Sequence, residues 1–311
     1  MYELAGKRIF VAGHRGMLGS ALVRRLGSER CEVLTVARTK VDLTDQAQVN
    51  AFLKSARPDV VIIAAAKVGG ILANDSYPAD FLHQNLMIQT NLIGAAHEVQ
   101  VEKLIFLGSS CIYPKAASQP IIETSLLTGP LEPTNEWYAV AKIAGIKLAQ
   151  AFRRQHGDDF ISAMPTNLYG PNDSFDLATS HVLPALVRKV VEAIAAGTAE
   201  IEIWGTGTAR REFLHVDDCA DACIFLLKNY SAEEHVNVGS GVDSTIAELA
   251  EMIIKLAGGK QTLRFDRTKP DGTPRKLLSS AKLASLGWKP TIGVEDGVAR
   301  VIADYRQMNG L

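Results

Sequence analysis

The sequence predicts an α/β protein in which helices cover both faces of a parallel β-sheet. Its short apolar runs do not alternate with polar residues, which is typical of strands that are buried on both faces. Amphipathic stretches separate these runs, and a glycine-rich turn follows the first of them. Repeated strand–helix units of this kind indicate a doubly wound sheet.

In the first half of the chain, each predicted strand is an apolar run and is followed by a helical pattern. Pro58 separates the second helix from the third strand, which is entirely apolar. The predicted strands are Lys7–Ala12, Glu32–Ala37, Val60–Ala66, Lys103–Gly108 and Phe160–Thr166. The predicted helices are Met17–Leu26, Gln46–Ser55, Leu82–Gln100 and Tyr138–His156.

After about residue 167 the regular alternation of strands and helices changes, at the turn cluster Gly170-Pro171-Asn172. We predict helices at Val182–Ala196, Val216–Leu227 and Thr245–Leu256, a strand at Glu200–Trp204, and a return to the sheet at His235–Gly241. The chain thus divides into a first domain, residues 1–167, and a smaller α/β substrate domain, residues 168–311. The two are interleaved, because we expect residues 210–240 to rejoin the first domain.

Composition excludes several classes of protein. Of the 311 residues, 33 are basic and 34 acidic, so the net charge of −1 gives no general attraction to nucleic acid or an anionic membrane. The longest apolar run, Val60–Ala66, is too short to span a bilayer. The N-terminus lacks the layout of a signal peptide, and the four cysteines show no paired spacing, so we expect a cytoplasmic protein. Cys219 and Cys223 lie one helical turn apart without further ligands nearby and are predicted core residues, so no metal site is expected.

The glycine-rich turn follows the first strand and opens the first helix, with the spacing G-x-x-G-x-x-G. Free N–H groups and the dipole at a helix N-terminus attract a pyrophosphate, and glycines let the backbone approach it. This position therefore predicts a Rossmann-type dinucleotide site rather than a tight turn without a ligand. The residues of the predicted site in this turn are Gly13, Arg15, Gly16, Met17, Leu18 and Gly19.

Two arginines indicate which dinucleotide is bound. Binders of NAD usually end the second strand with an acidic residue for the ribose hydroxyls, but here Arg38 follows that strand. Arg38 and Arg15 together suit a 2′-phosphate, which arginine binds through two parallel hydrogen bonds. We therefore predict NADP(H), with Asp42 and Leu43 near the adenine; ordinary solvated arginines are the alternative.

Tyr138 and Lys142 form a Y-x-x-x-K pair on one face of a predicted helix. An ammonium beside a phenol favours the phenolate and would lower the pKa of Tyr138, which makes it a proton donor near neutral pH. Ser109 ends the preceding strand and could hydrogen-bond the same carbonyl oxygen. The pair is specific because it follows both a dinucleotide turn and the strand end Gly108-Ser109-Ser110.

With these motifs the chain resembles the extended short-chain dehydrogenase/reductase superfamily over nearly its whole length. The shared segments are the glycine turn, the Ser109/Tyr138/Lys142 set, Pro165-Thr166-Asn167-Leu168, WGTG and RREFLHVDDCADA. Six further segments resemble the members that convert GDP-4-keto-6-deoxy-D-mannose into GDP-L-fucose, namely AGHRGMLGSA, AAAKVGGILAN, FLGSSCIYPK, EWYAVAKIAGIK, MPTNLYGPND and KPDGTPRKLL.

The resemblance implies an NADPH-dependent epimerase-reductase with two reactions in one pocket. The sugar is inverted at C3 and C5, and the C4 ketone is then reduced. Cys111 and His181 are the implied acid and base, with either order open, and Tyr138 and Ser109 would stabilise the enolate oxygen. Lys142 or a protonated His181 would lower the pKa of the Cys111 thiol.

The remaining site residues follow from the same resemblance. Cofactor contacts are implied for Leu107, Lys142, Pro165, Asn167, Leu168 and His181. Substrate contacts are implied for Lys189, Trp204 and Arg211, although Trp204 could instead anchor a core. Ser279 stands where related chains often carry Asp, which puts one nucleotide or sugar contact in doubt. A homodimer that pairs Leu82–Gln100 and Tyr138–His156 is also implied.

Two other functions remain open at this point. The first is another extended reductase or a C4-epimerase that acts on a different nucleotide sugar; a C4-epimerase would retain its NAD. The second is a sensor that binds NADP without turnover. The Ser109/Tyr138/Lys142 set disfavours the sensor, because a sensor needs no proton donor.

Overall fold

The structure is a computed structural model and describes residues 1–177, 180–269 and 271–311. The strands in these residues are β1 (Arg8–Ala12), β2 (Glu32–Leu34), β3 (Val60–Ile63), β4 (Lys103–Leu107), β5 (Phe160–Pro165), β6 (Asn167–Tyr169), β7 (Glu200–Trp204), β8 (Arg210–His215), β9 (Val236–Val238), β10 (Asp243–Thr245), β11 (Thr262–Asp266) and β12 (Arg275–Lys276). The helices are α1 (Met17–Leu26), α2 (Gln46–Ala56), α3 (Ile71–Ser76), α4 (Pro78–Glu98), α5 (Glu136–His156), α6 (Val182–Ala195), α7 (Val216–Asn229), α8 (Ile246–Leu256), α9 (Ala281–Ser285) and α10 (Val294–Asn309).

A parallel sheet forms the centre of the molecule, with its six described strands in the order β2-β1-β3-β4-β5-β9. Side chains of α1 and α7 form a core with one face, and those of α2, α4 and α5 form a core with the other. The predicted α/β fold with a doubly wound sheet is therefore confirmed. The carboxyl ends of parallel strands share one edge, which is where such folds bind ligands.

Two strands end three residues earlier than predicted, and the chain leaves the sheet at this edge after each of them. β2 ends at Leu34 rather than Ala37, and β3 ends at Ile63 rather than Ala66. The chain beyond them reaches a large cavity, which Val36 and Ala64–Ala66 help to line. Apolar pattern alone does not distinguish a strand from the segment that follows it, so the predicted boundaries were too long.

The smaller α/β region is organised around β8. This strand pairs antiparallel with β10 and parallel with both β6 and β12, and a separate parallel pair consists of β7 and β11. Helices α6, α8 and α10 pack together over a third core. A capping box between Thr245 and Glu248 fixes the start of α8.

Residues between the strands of the smaller region pack against the large sheet. Helix α7 lies against α1, and β9 pairs with β5 as the last strand of the large sheet. The return to the sheet predicted for His235–Gly241 thus occurs at Val236–Val238. The short elements α3, α9, β6, β10 and β12, the strands β8 and β11, and the long helix α10 were not predicted.

Cys219 and Cys223 lie on α7 and are fully buried in the core that this helix forms with the large sheet, as predicted. None of the helices in the described ranges is long and apolar enough to cross a membrane.

Candidate active site

A cavity of about 1280 Å³ opens at the carboxyl edge of the large sheet and extends to the smaller region. It brings together every residue that the sequence predicts for the site. On the large-sheet side these are Gly13, Arg15, Gly16, Met17, Leu18, Gly19, Arg38, Asp42, Leu43, Leu107, Ser109, Cys111, Tyr138, Lys142, Pro165, Asn167 and Leu168. On the other side they are His181, Lys189, Trp204 and Arg211.

The three glycines of the turn have different physical reasons to be glycine. Gly13 has a φ of +87°, and a Cβ there would lie 2.7 Å from the Ala65 Cα. A Cβ on Gly19 would overlap the Gly13 carbonyl. A Cβ on Gly16 would meet only that carbonyl, at an ordinary 3.5 Å. The protein itself therefore requires Gly13 and Gly19, whereas Gly16 leaves its space to the cavity.

Gly16 is also the residue directly before α1, where an anion could approach the start of the helix. Among the described residues, none caps this helix with a side chain, and no acidic residue lies in its first turn. The first N–H groups of α1 therefore have no side-chain acceptor of their own at the cavity.

Arg15 and Arg38 are exposed, and neither makes a hydrogen bond or an ion pair with any described residue. Both line the cavity beside Asp42. Hydrogen bonds from the Thr44 N–H and hydroxyl lower the pKa of Asp42, and Arg38 adds to this effect. The pocket end at the glycine turn therefore presents two guanidinium groups and one ionised carboxylate.

Tyr138 and Lys142 lie one turn apart on α5, but the predicted acidification of the phenol is wrong for this structure. Burial, followed by the charge of Cys111, raises the pKa of Tyr138, and the Ser109 hydroxyl only partly opposes this. Lys142 donates its hydrogen bond to the Leu107 carbonyl, and burial lowers its own pKa to about 7. The ammonium is therefore not directed at the phenol oxygen, and it lies 5.8 Å from the centre of the ring.

Cys111 lies in a single 3-10 turn directly after Ser109, whose hydroxyl accepts a hydrogen bond from the Cys111 N–H at 3.3 Å. Its sulfur accepts hydrogen bonds from Asn135 Nδ2 at 3.4 Å and from Lys276 Nζ at 3.3 Å. Burial alone would raise the pKa of the thiol, but Lys276 and Ser109 lower it below its ordinary value. The sequence attributed this effect to Lys142 or His181, and that attribution was wrong.

His181 is the residue before α6 and faces the same cavity. It is an exposed residue that lines the cavity. Burial lowers its pKa, and the nearby Lys276 charge lowers it further. Cys111 and His181 thus share Lys276 as a cationic neighbour. Lys276 lies on β12, away in sequence from the 3-10 turn of Cys111 and from the start of α6.

The far end of the cavity is cationic and aromatic. Arg211 is held by hydrogen bonds to the carbonyls of Thr273 at 2.5 Å and Asp271 at 3.3 Å. Lys189 donates to the Glu202 carbonyl and lies 5.5 Å from the ring of Trp204. Trp204 is 51% exposed, so the alternative that it anchors a core does not hold.

Asn167 and Ser279 contact backbone. Asn167 donates its Nδ2 hydrogen to the Glu212 carbonyl at 2.8 Å and so holds β6 on β8. Ser279 uses its N–H to pair with the Ile121 carbonyl and is not among the described residues that line the cavity.

Sequence reasoning missed two residues that touch the candidate thiol, Asn135 and Lys276. Lys276 stands in the segment KPDGTPRKLL, whose only signals are the family resemblance and the departure at Ser279. Asn135 precedes α5 in a stretch without periodicity. No local pattern connects either residue with Cys111, because both contacts form only when distant segments fold together.

The fold and this site define a class of nucleotide-dependent enzymes, and the comparisons agree. Residues 9–239 match the NAD dependent epimerase/dehydratase family, and the chain belongs to that family. A curated relative from Sinorhizobium fredii (strain NBRC 101917 / NGR234), GDP-L-fucose synthase, is 60% identical over 300 residues, which cover 96% of each chain.

Solved structures of similar proteins span the whole chain. A GDP-6-OMe-4-keto-L-xylo-heptose reductase from C. jejuni has a TM-score of 0.91 at 33% identity and covers 98% of both chains. A GDP-L-fucose synthetase from Naegleria fowleri bound to NADP has a TM-score of 0.89 at 27% identity, covering 99% of this chain and 97% of that one.

Proposed function

We propose that the protein converts GDP-4-keto-6-deoxy-D-mannose to GDP-L-fucose with NADPH as reductant. The observation that supports this most strongly is the position of Cys111, whose sulfur lines one cavity with Tyr138 and His181. A plain reductase needs the phenol alone, whereas inversion at two carbons also needs an acid and a base. The 60% identity to a GDP-L-fucose synthase supports the choice of substrate.

The residues at the glycine turn fit NADPH. Gly16 leaves space for a pyrophosphate at the start of α1, and Arg15 and Arg38 are free to bind a 2′-phosphate. NADP is also bound by the similar synthetase from Naegleria fowleri. When bound, NADPH supplies the hydride for the C4 carbon of the sugar.

In the proposed epimerisation, Cys111 and His181 act on the carbons next to the C4 ketone. One of them removes the proton, which leaves an enolate, and the other returns a proton to the opposite face. Ser109 and Tyr138 donate hydrogen bonds to the enolate oxygen. Because burial holds Tyr138 protonated in this structure, it is a hydrogen-bond donor during epimerisation and the proton source when the ketone is reduced.

In this proposal, the far end of the cavity holds the GDP group. Arg211 contributes a fixed guanidinium for the diphosphate, and Lys189 adds a second cation beside Trp204. The exposed face of Trp204 is available to stack on the base or the sugar.

We also propose a cytoplasmic homodimer. Helices α4 and α5 pack side by side, with the Gln89 amide donating to the Ala141 carbonyl. On α5, Trp137 and Val140 are 44% and 40% exposed and share one face, which supports pairing with a second copy. A thiol used as acid or base must stay reduced, which supports the cytoplasm.

The decisive experiment follows the sugar protons. Incubation with GDP-4-keto-6-deoxymannose in deuterated water, without NADPH, should introduce deuterium at C3 and C5, and addition of NADPH should then give GDP-L-fucose. Cys111→Ser and His181→Gln should each slow the exchange by about 100-fold or more. Cys31→Ser, outside the cavity, is the matched control. Exchange at the wild-type rate in both variants would exclude these residues as the acid and base.

A further inference from the structure

Lys276 reaches Cys111 from a different part of the chain. It lies on β12, whose only two residues pair with β8 in register, so that Lys276 stands beside Arg211. Its Nζ donates to the Cys111 sulfur at 3.3 Å, and the Asn135 amide approaches the same sulfur at 3.4 Å. A half-buried thiol with two nitrogen donors directed at it is in the environment of an anion rather than of a neutral S–H.

The strand that carries Lys276 is held at both ends by main-chain contacts. Before it, the Arg210 N–H donates to the Pro274 carbonyl at 2.8 Å. After it, the Leu277 N–H donates to the Gln119 side chain at 2.9 Å, and the Leu278 N–H donates to Glu212 Oε2 at 3.0 Å. The backbone from which the Lys276 side chain reaches the sulfur is therefore held in place on both sides of the strand.

Other charged groups near Cys111 do not replace Lys276. The charge of Arg211 also lowers the pKa of Cys111, but by less than Lys276 does, and Arg211 gives its hydrogens to backbone carbonyls. Tyr138 and Glu132 carry no positive charge that could hold a thiolate. Tyr138, Glu132 and Arg211 line the cavity together with the sulfur.

The two groups to which the sequence assigned the ionisation of Cys111 are already engaged or shifted. Lys142 donates to the Leu107 carbonyl, and its pKa is lowered to about 7. Burial, and then Lys276 itself, lower the pKa of His181, so His181 is mainly neutral near pH 7. Among these cations of the described residues, Lys276 is therefore the one that donates a hydrogen bond to the sulfur.

We propose that Lys276 is a positioning residue of the epimerase reaction, which holds Cys111 as a thiolate directed at the sugar ring, with Asn135 fixing the position of the sulfur. This inference rests on the proposed function only for the identity of the reaction. The contact between the ammonium and the sulfur can be tested without any sugar.

The first test measures the ionisation of Cys111 directly. The rate of alkylation by iodoacetamide is followed against pH on the Cys111 peptide by mass spectrometry, because the thiolate is the species that reacts. We expect the midpoint of the wild-type protein to lie below that of an ordinary thiol, and Lys276→Met to raise it by about one pH unit or more. Lys276→Arg should restore a midpoint close to the wild type, and Lys289→Met, an exposed lysine outside the cavity, should leave it unchanged.

The second test measures the reaction that the thiolate serves. Lys276→Met should lower the rate of deuterium entry at C3 and C5 about tenfold or more near pH 7, with part of the loss recovered at higher pH as the thiol ionises. Lys276→Arg should retain most of the exchange. Lys276→Gln provides a second neutral variant if the methionine variant does not fold, as judged by thermal melting and NADPH binding.

The outcomes separate this inference from the proposed function. An unchanged alkylation midpoint in a folded neutral variant would overturn the inference; if GDP bound more weakly in that variant, Lys276 would be a phosphate contact instead. If the midpoint rises but the wild-type protein exchanges no deuterium at C3 and C5, the thiolate contact stands and the proposed epimerisation fails.

Discussion

The Lys142 ammonium donates a hydrogen bond to the Leu107 carbonyl over 2.9 Å, at the point where β4 ends. Both residues line the cavity, but the lysine is almost fully buried. This carbonyl is the one hydrogen-bond partner of the ammonium among the described residues. It does not replace the water that the ammonium loses, which is why burial lowers the pKa of Lys142 to about 7.

Lys142 should therefore reduce the stability of the ligand-free protein at neutral pH. Between pH 7 and the ordinary pKa of lysine, the unfolded chain binds a proton here that the folded chain does not, so stability rises with pH in that window. Lys142→Met removes the titration. Its unfolding free energy should exceed that of the wild type by on the order of a few kcal/mol at pH 7, and this advantage should shrink towards pH 10.

Urea unfolding of both proteins from pH 7 to 10 measures this difference. Lys147→Met, an exposed position on the same helix, should give a difference that does not depend on pH. If the difference in unfolding free energy for Lys142→Met were equally independent of pH, burial would not disfavour the charged form of Lys142.

Tyr138→Phe should abolish reduction of the C4 ketone, because phenylalanine keeps the ring and removes the proton donor. We expect kcat to fall by about 100-fold to 10,000-fold, with little change in NADPH affinity. Oxidation of NADPH at 340 nm and fluorescence titration measure the two quantities. Tyr77→Phe, at an exposed tyrosine outside the cavity, is the control, and near-normal reduction by the Tyr138 variant would remove the phenol from this role.

Gly16→Ala and Gly19→Ala should fail for different reasons. Alanine at Gly19 places a methyl group against the Gly13 carbonyl and should destabilise the fold by about 1–3 kcal/mol or more. Alanine at Gly16 has room within the protein, so stability should change by about 1 kcal/mol at most. Its methyl group points to where a pyrophosphate must approach, and NADPH binding should weaken about tenfold or more.

Thermal melting and calorimetric titration of NADPH separate these two effects. Gly94→Ala, on α4 with open space at the Cβ position, should lower neither the melting temperature nor the affinity for NADPH. Full NADPH affinity in Gly16→Ala would show that this glycine is not reserved for the cofactor.

Arg15→Leu and Arg38→Leu should weaken the binding of NADPH but not that of NADH. Each arginine is free to form paired hydrogen bonds with a 2′-phosphate, so the double variant should lose about 10-fold to 100-fold in the ratio of the two affinities. Arg267→Leu, an exposed arginine outside the cavity, tests the effect of lost surface charge. An equal loss for both cofactors would contradict selection through the 2′-phosphate.

Much of the large sheet could be predicted because strong local signals specify it. Val60–Ile63 is fully buried and apolar, and the turn Gly13–Gly19 has a spacing tied to a defined geometry. The helix Val294–Asn309 also carried such a signal, since Val298, Val301 and Ile302 are buried at helical spacing; it was overlooked. Strands β10 and β12 have three and two residues, too few for any periodicity, and are set by their pairing with β8.

In the candidate site, too, only the features with a local sequence signal could be predicted. Its motif residues, such as Tyr138 and Lys142, could be predicted from their spacing, but the directions of their pKa shifts could not. The Lys142 ammonium points to the Leu107 carbonyl at the end of β4. The lowered pKa of the Cys111 thiol depends on Lys276, which lies far along the chain. Charge–charge contacts between distant segments leave no trace in either segment alone.

The buried carboxylate of Glu212 links the two halves of the molecule. It accepts N–H groups from Gly241, just beyond the last strand of the large sheet, and from Leu278, just beyond the strand of Lys276. The two halves cannot separate without breaking the Gly241 contact of this fully enclosed acid. Heat should therefore melt the chain in one cooperative step, and the two halves are not independent modules that could be exchanged between relatives.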